Sequence, residues 1–209
     1  MTMTTAVCTS AAFLLAAALT AQEPKKAEPK KAPAAKKQEM SQAASMPMVK
    51  PVPEHDLLKK DVGTWDATVE TMASPEAPAS KSKGVETNKL LGGLWLVTDF
   101  KSQMMGQPFE GHGTTGYDTN KKKYVGTWVD SMSTGLMTGE STYDPATKTV
   151  TGYMEGTDPA TGKPTKMKMV TEYKDDNSRV FTMYMTGPDG KEAPAMKITY
   201  KRRAAAAKK

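Results

Sequence analysis

The chain has 209 residues, 29 Lys and Arg against 23 Asp and Glu, a formal net charge of +6, and one cysteine. Residues 22–50 hold seven Lys against three Glu and residues 201–209 hold five basic side chains, which leaves 17 basic against 20 acidic residues in 51–200. A nucleic-acid binder concentrates positive charge on its folded face, so nucleic acid is not an expected partner.

Residues 1–21 carry no charged side chain, and Ala11 to Leu19 form an apolar run bounded by small residues. The run is shorter than the roughly 20 residues that span a bilayer. It reads as a secretory signal peptide cut near residues 18–21, with retention as an uncleaved anchor the alternative, and predicts a periplasmic or secreted protein. Cys8 precedes the run, so no lipid-attachment cysteine is expected. The mature chain would then hold no thiol, excluding disulfides, cysteine zinc sites and cysteine nucleophiles.

Residues 22–50 shift to Lys, Ala and Pro with no apolar period, the composition of a disordered linker. Two readings stand for it and for the basic tail, 204–209. One is a solubilising spacer, and the other is attachment to an anionic envelope surface.

The remainder, 51–203, is long enough for one domain with one core. It opens on a helical signal, Pro53 to Asp61, with acids early, lysines late and Gly63 placed to stop it. A helix there can plug one end of a barrel. Ten strands are predicted next: Thr64 to Met72, Ser82 to Leu90, Leu94 to Lys101, Phe109 to Asp118, Lys123 to Asp130, Leu136 to Asp144, Thr149 to Glu155, Lys166 to Tyr173, Arg179 to Thr186 and Ala195 to Arg202. Turn residues separate them, among them Asp118-Thr119-Asn120, Asp144-Pro145-Ala146 and Asp175-Asp176-Asn177.

Several strands alternate strictly. Met167, Met169 and Tyr173 share one face, as do Phe181, Met183 and Met185, and then Met196, Ile198 and Tyr200. With no long helix to cover a sheet, closing it on itself buries these faces and removes the edges, so an antiparallel up-and-down β-barrel of about ten strands is expected. A two-sheet sandwich is the competing architecture. Eight strands already leave room for a small ligand, so ten predict a cavity.

The segment from His55 through Gly63-Thr64-Trp65, with Glu86, Leu91-Gly92-Gly93-Leu94-Trp95, Gly116-Tyr117-Asp118, Tyr124-Val125-Gly126-Thr127-Trp128 and Gly187-Pro188-Asp189-Gly190, resembles the bacterial family known as domain of unknown function (DUF) 1579 over about residues 50 to 203. That resemblance implies a calycin or lipocalin-like barrel and brings no activity. Asp61 departs from the family, whose members often have an apolar residue there. Haem-binding calycins place an axial histidine late in the chain, where this sequence has none.

Gly111-His112-Gly113-Thr114-Thr115-Gly116 matches a dinucleotide fingerprint in letters, but it runs on into a turn and another strand instead of a helix N-terminus. Only His55 and His112 are available for histidine chemistry. Met167-x-Met169 and Met183-x-Met185 could be soft thioether ligands for Cu(I), yet period-two methionines also describe a face turned to a core or pocket, the reading favoured here. Neither metal nor cofactor is expected. Trp65 is expected to close the barrel base beside the helix, and Trp128 shares a face with Tyr124 and Asp130, a mixture suited to a pocket mouth.

The expected function is binding of a small apolar molecule without catalysis, in a pocket lined by Met167, Met169, Tyr173, Phe181, Met183, Met185, Met196, Ile198, Tyr200, Trp128 and His112. Two alternatives stand beside it. One is an enzyme using Glu86, Asp99, Glu140 or Glu155 on such a ligand, marked by an inward carboxylate with a displaced pKa. The other is an envelope-associated structural protein attached by its basic segments.

Overall fold

A computed structural model describes residues 49–72, 78–104, 106–159, 161–187 and 190–204. The expected signal peptide 1–21, nearly all of the expected linker 22–50, and most of the tail 204–209 lie outside the described residues.

The expected opening helix forms as a 3₁₀ turn, Pro53–His55, running into a short helix, α1, Asp56–Asp61. Val62 leaves the helix in an extended conformation, and Gly63 adopts φ +117°, where a Cβ would also lie 3.2 Å from Arg202 Nη1. Both the backbone and the neighbouring guanidinium thus favour glycine at this junction.

Ten strands follow: β1 (Gly63–Thr71), β2 (Ser80–Leu91), β3 (Trp95–Met104), β4 (Gln107–Asp118), β5 (Lys123–Asp130), β6 (Met137–Asp144), β7 (Thr149–Thr157), β8 (Pro164–Asp175), β9 (Ser178–Thr186) and β10 (Glu192–Arg202). Each pairs antiparallel with its neighbours in sequence, and β10 returns to β1, from Trp65 opposite Arg202 to Thr71 opposite Met196. The sheet is therefore a closed barrel, and the sandwich does not form. Three turns at the α1 end are held by aspartates that accept from the backbone two residues on: Asn120 N to Asp118, Ala146 N to Asp144 and Asn177 N to Asp175, at 2.8, 2.9 and 2.7 Å.

Register fixes which face looks inward. Trp65, Ala67 and Val69 are buried on β1. Their phase passes around the barrel through Glu86 and Asn88 on β2, Leu96, Thr98 and Phe100 on β3, and Phe109, Gly111, Gly113, Thr115 and Tyr117 on β4. One apolar cluster joins Trp65, Ala67, Val69, Phe100, Phe109, Ile198 and Tyr200, with Met104, Trp128, Phe181 and Met196 packed against it. A second joins Leu57 and Leu58 of α1 to Leu96 and Tyr124, with Tyr117, Tyr143, Val150 and Tyr173 around them. The helix therefore plugs the end of the barrel at which β1 begins and β10 ends.

Candidate functional site

In α1 the spacing of Leu57, Leu58 and Asp61, four and three residues apart, puts them on one helix face, and all three are buried. Asp61 is only 8% exposed and is the residue through which the helix is tied to the barrel. Its backbone oxygen accepts from Trp65 Nε1 at 2.8 Å and from Asn88 Nδ2 at 2.9 Å. Its carboxylate accepts from Tyr173 OH at 2.8 Å through Oδ2, and Oδ1 lies 3.0 Å from Arg179 Nη1 in an ion pair whose angle makes no hydrogen bond.

Arg179 is the hub. Its Nη2 pairs with Glu86, which also accepts from Asn88 Nδ2 at 2.6 Å and is hydrogen-bonded to Tyr200. The guanidinium carbon sits 4.6 Å from the Trp65 ring centre and 4.3 Å from that of Tyr200, a cation–π pair of the kind that stabilises a desolvated arginine. Arg202 packs on Trp65 at 4.1 Å and donates to Val62 O at 2.6 Å and to Lys60 O. It thereby satisfies carbonyls that the end of α1 leaves open.

Burial raises the pKa of Asp61 above the usual carboxylate range. The Arg179 charge and the Tyr173 hydrogen bond pull the other way, and neighbouring Glu86 adds to the rise. For Arg179 burial works against the charge, but Asp61 and Glu86 outweigh it and hold the pKa above its ordinary value. Burial lifts the phenols of Tyr173 and Tyr200 well above their usual value and pushes Tyr124 up to about 12. These phenols therefore remain neutral donors, and Tyr124 OH gives its proton to Glu54 O at 2.8 Å.

Beneath α1 lies a cavity of about 220 Å³, walled by Leu57, Leu58 and Asp61 from the helix, by Leu96, Tyr124, Val150, Met154, Met169 and Tyr173 from the barrel, and by Glu86 and Arg179. Around it β5, β6 and β7 bring Gly126, Gly139 and Gly152 to the wall. Another depression, of about 610 Å³, lies over β5 to β7 between Trp95, Lys121, Tyr153 and Lys166. Its charges are engaged in ordinary exposed pairs, Lys121 and Lys123 with Glu140 and Lys166 with Glu155, so the interior cavity is the candidate site.

Of the residues singled out from the sequence, Met169 and Tyr173 line that cavity. Phe181, Ile198, Tyr200, Met196 and Trp128 share the inward phase but are packed in the apolar cluster. Trp128 lies over Gly111 and Gly113, so close that a Cβ on Gly111 would sit 2.1 Å from the indole. Met167 and Met183 are inward too, opposite Met154 and Met196, while Met185 is 40% exposed at the rim. His112 is a correction to the set. β4 turns Phe109 and Tyr117 inward, which puts His112 on the outer face with its Nδ1 2.8 Å from Asp99 Oδ1.

Among the four acids weighed for catalysis, Glu86 is inward, whereas Asp99 pairs with His112 and Glu140 and Glu155 pair with lysines, all on the outer face. Asp61, Asn88 and Arg179 were not in the set. Arg179 falls two residues before Phe181 and Met183 on the same face, and that charge in an inward row was the available signal. Among the described residues no three His, Cys, Asp or Glu side chains gather as a metal site.

The family model described as "Protein of unknown function (DUF1579)" matches residues 50–202. The chain belongs to this family. Asp61 is what anchors the plug helix of this DUF1579 barrel. The fold is similar to that of Rv2717c from M. tuberculosis, with TM-score 0.57 and 11% identity, covering 74% of this chain and 99% of that one. It is also similar to the S-type phycobiliprotein lyase CPES from Guillardia theta, with TM-score 0.51 and 10% identity, covering 73% and 94%. Identities this low carry the fold alone. No curated protein matches the chain.

Proposed function

We propose that this DUF1579 barrel is a binding module that holds one small, largely apolar molecule under α1, with the molecule's polar end toward Asp61, Glu86 and Arg179. The observation that carries the reading is the cavity itself: leucine, valine and methionine, with threonine, serine and tyrosine among them, line a space that has a buried charged cluster on one side. Sites for drug-sized ligands run to about 300–1,000 Å³, so a space of about 220 Å³ suits a smaller occupant. Indole is a suitable neutral probe, followed by saturation transfer from protein to ligand in NMR. Transfer is expected with the native chain and lost in Thr171→Trp, which puts an indole into the cavity from the β8 wall that Thr171 lines between Met169 and Tyr173. Equal transfer in both proteins would refute the site.

One observation favours an enzymatic reading as well. Asp61 is a cavity carboxyl whose pKa burial has raised, the property a general acid needs. Under that reading the molecule recovered from Asp61→Asn differs chemically from the one recovered from the native protein. Export across the cytoplasmic membrane, with attachment of residues 22–50 to an anionic envelope surface, completes the proposal. Deleting that segment should release the protein from the envelope and leave the barrel folded.

A further inference from the structure

The cavity wall holds unbalanced charge. Asp61 and Glu86 share a single cation, Arg179, the only arginine, lysine or histidine among the cavity's lining residues. Glu140 also borders the space, but its carboxylate is engaged outside by Lys121 and Lys123. The guanidinium has little left to offer a ligand. Nη1 lies against Asp61, Nη2 against Glu86, and the Trp65 and Tyr200 rings stand over it.

Three buried atoms of this cluster have no hydrogen-bond partner, Asp61 Oδ1, Asn88 Oδ1 and Arg179 Nε. The two oxygens invite a donor and the nitrogen an acceptor, and the charge count separates them. With both carboxylates ionised the lining of the cavity holds one surplus negative charge, offset in part by Arg202 acting on Asp61 from outside the lining, in a site of low dielectric where a nearby cation gains and an anion loses. The rest of the wall agrees. The phenols of Tyr124 and Tyr173 already donate to Glu54 and Asp61, and Tyr124 adds an aromatic ring to the lining, a surface that attracts cations.

Resting on the small-molecule reading above, we propose that the ligand is a small apolar amine, bound protonated, with its ammonium beside Asp61 and Glu86 and its hydrocarbon against Leu57, Leu58, Leu96 and Val150.

Three ligands of one chain length test this on the full-length protein at neutral pH: hexylamine, hexan-1-ol and hexanoate, titrated by calorimetry, with Thr171→Trp as the blank for surface binding. Hexylamine should bind at least tenfold more tightly than hexan-1-ol, and hexanoate most weakly. Glu86→Gln removes the surplus charge and should erase most of the preference for hexylamine over hexan-1-ol. If that variant does not fold, Asp61→Asn serves, and if neither folds the order among the three ligands on the native chain decides. Hexan-1-ol or hexanoate binding as tightly as the amine would overturn the amine inference and leave the binding reading intact. So would indole uptake with no binding by any of the three. Failure of all four to bind would remove both.

Discussion

Arg179 at the start of β9 and Asp61 at the end of α1 meet at 3.0 Å inside the barrel, 118 residues apart in the chain, and through this contact the plug helix is joined to the wall it closes. A buried pair stripped of one partner leaves an uncompensated charge. Arg179→Leu strands two carboxylates and should cost about 3–5 kcal/mol. Asp61→Leu leaves Arg179 paired with Glu86 and should cost less, by at least about 1 kcal/mol on the same principle. Urea unfolding of the two variants checks the order, and equal losses would contradict it.

The pH dependence of Asp61 runs opposite to that of an ordinary salt-bridged carboxylate. Because burial raises its folded pKa above the ordinary value of 3.8, its contribution is full below that value and is lost as pH rises through the folded pKa. The stability of the native chain minus that of Asp61→Asn should therefore fall as pH is raised above about 4. A difference that grows with pH would contradict this.

Glu140 has the reverse sign. Hydrogen bonds from Lys121 and Lys123 depress its pKa from 4.5 to about 2, so its contribution is present above 4.5 and lost as pH falls through the lower value. The group is fully exposed, so the effect should be small and should fade with added salt. Comparing the native chain with Glu140→Gln during acid unfolding at low and high salt tests both features.

His112 and Asp99 form an exposed pair, with side chains 50% and 56% accessible. His112→Ala should change stability by less than about 1 kcal/mol and leave indole transfer intact. Loss of transfer would show that the outer face communicates with the cavity.

Gly111 is occupied from above by Trp128. Adding one methyl group in Gly111→Ala must displace the indole from its place beside Asp130, where Nε1 donates at 3.0 Å. Overpacking of this kind costs about 1–3 kcal/mol, and it should shift the tryptophan emission of the folded protein. An unchanged spectrum with unchanged stability would mean the contact is slack.

The closed barrel was legible because turn residues punctuate nearly every strand and because runs in β8, β9 and β10 alternate. The inward rows Met167, Met169 and Tyr173, then Phe181 and Met183, then Met196, Ile198 and Tyr200 can be read from the letters, and the structure keeps the phase within each row, with register shifts between Tyr173 and Asp175 and between Pro194 and Met196. In β4 to β7 glycine and threonine fall on both faces, so period two carries little contrast there, and His112 could not be assigned a side from letters alone. The cavity was harder to place. A barrel of ten strands has room for one, but Trp65, Phe100, Phe109, Trp128 and Phe181 fill much of the interior, and the open space remains under α1, where Met169 and Tyr173 are the members of the expected pocket set that line it. Asp61, Glu86 and Arg179 are far apart in sequence and become one cluster only through strand register and the docking of the helix.

The most direct measurement is the intact mass of the protein purified from its native compartment, compared under native and denaturing conditions. A reproducible excess in the native spectrum, lost on denaturation and absent from Thr171→Trp, is the expected result, and its mass would identify the ligand. Identical masses for native and denatured protein, together with no saturation transfer to indole or to hexylamine, would contradict the binding module.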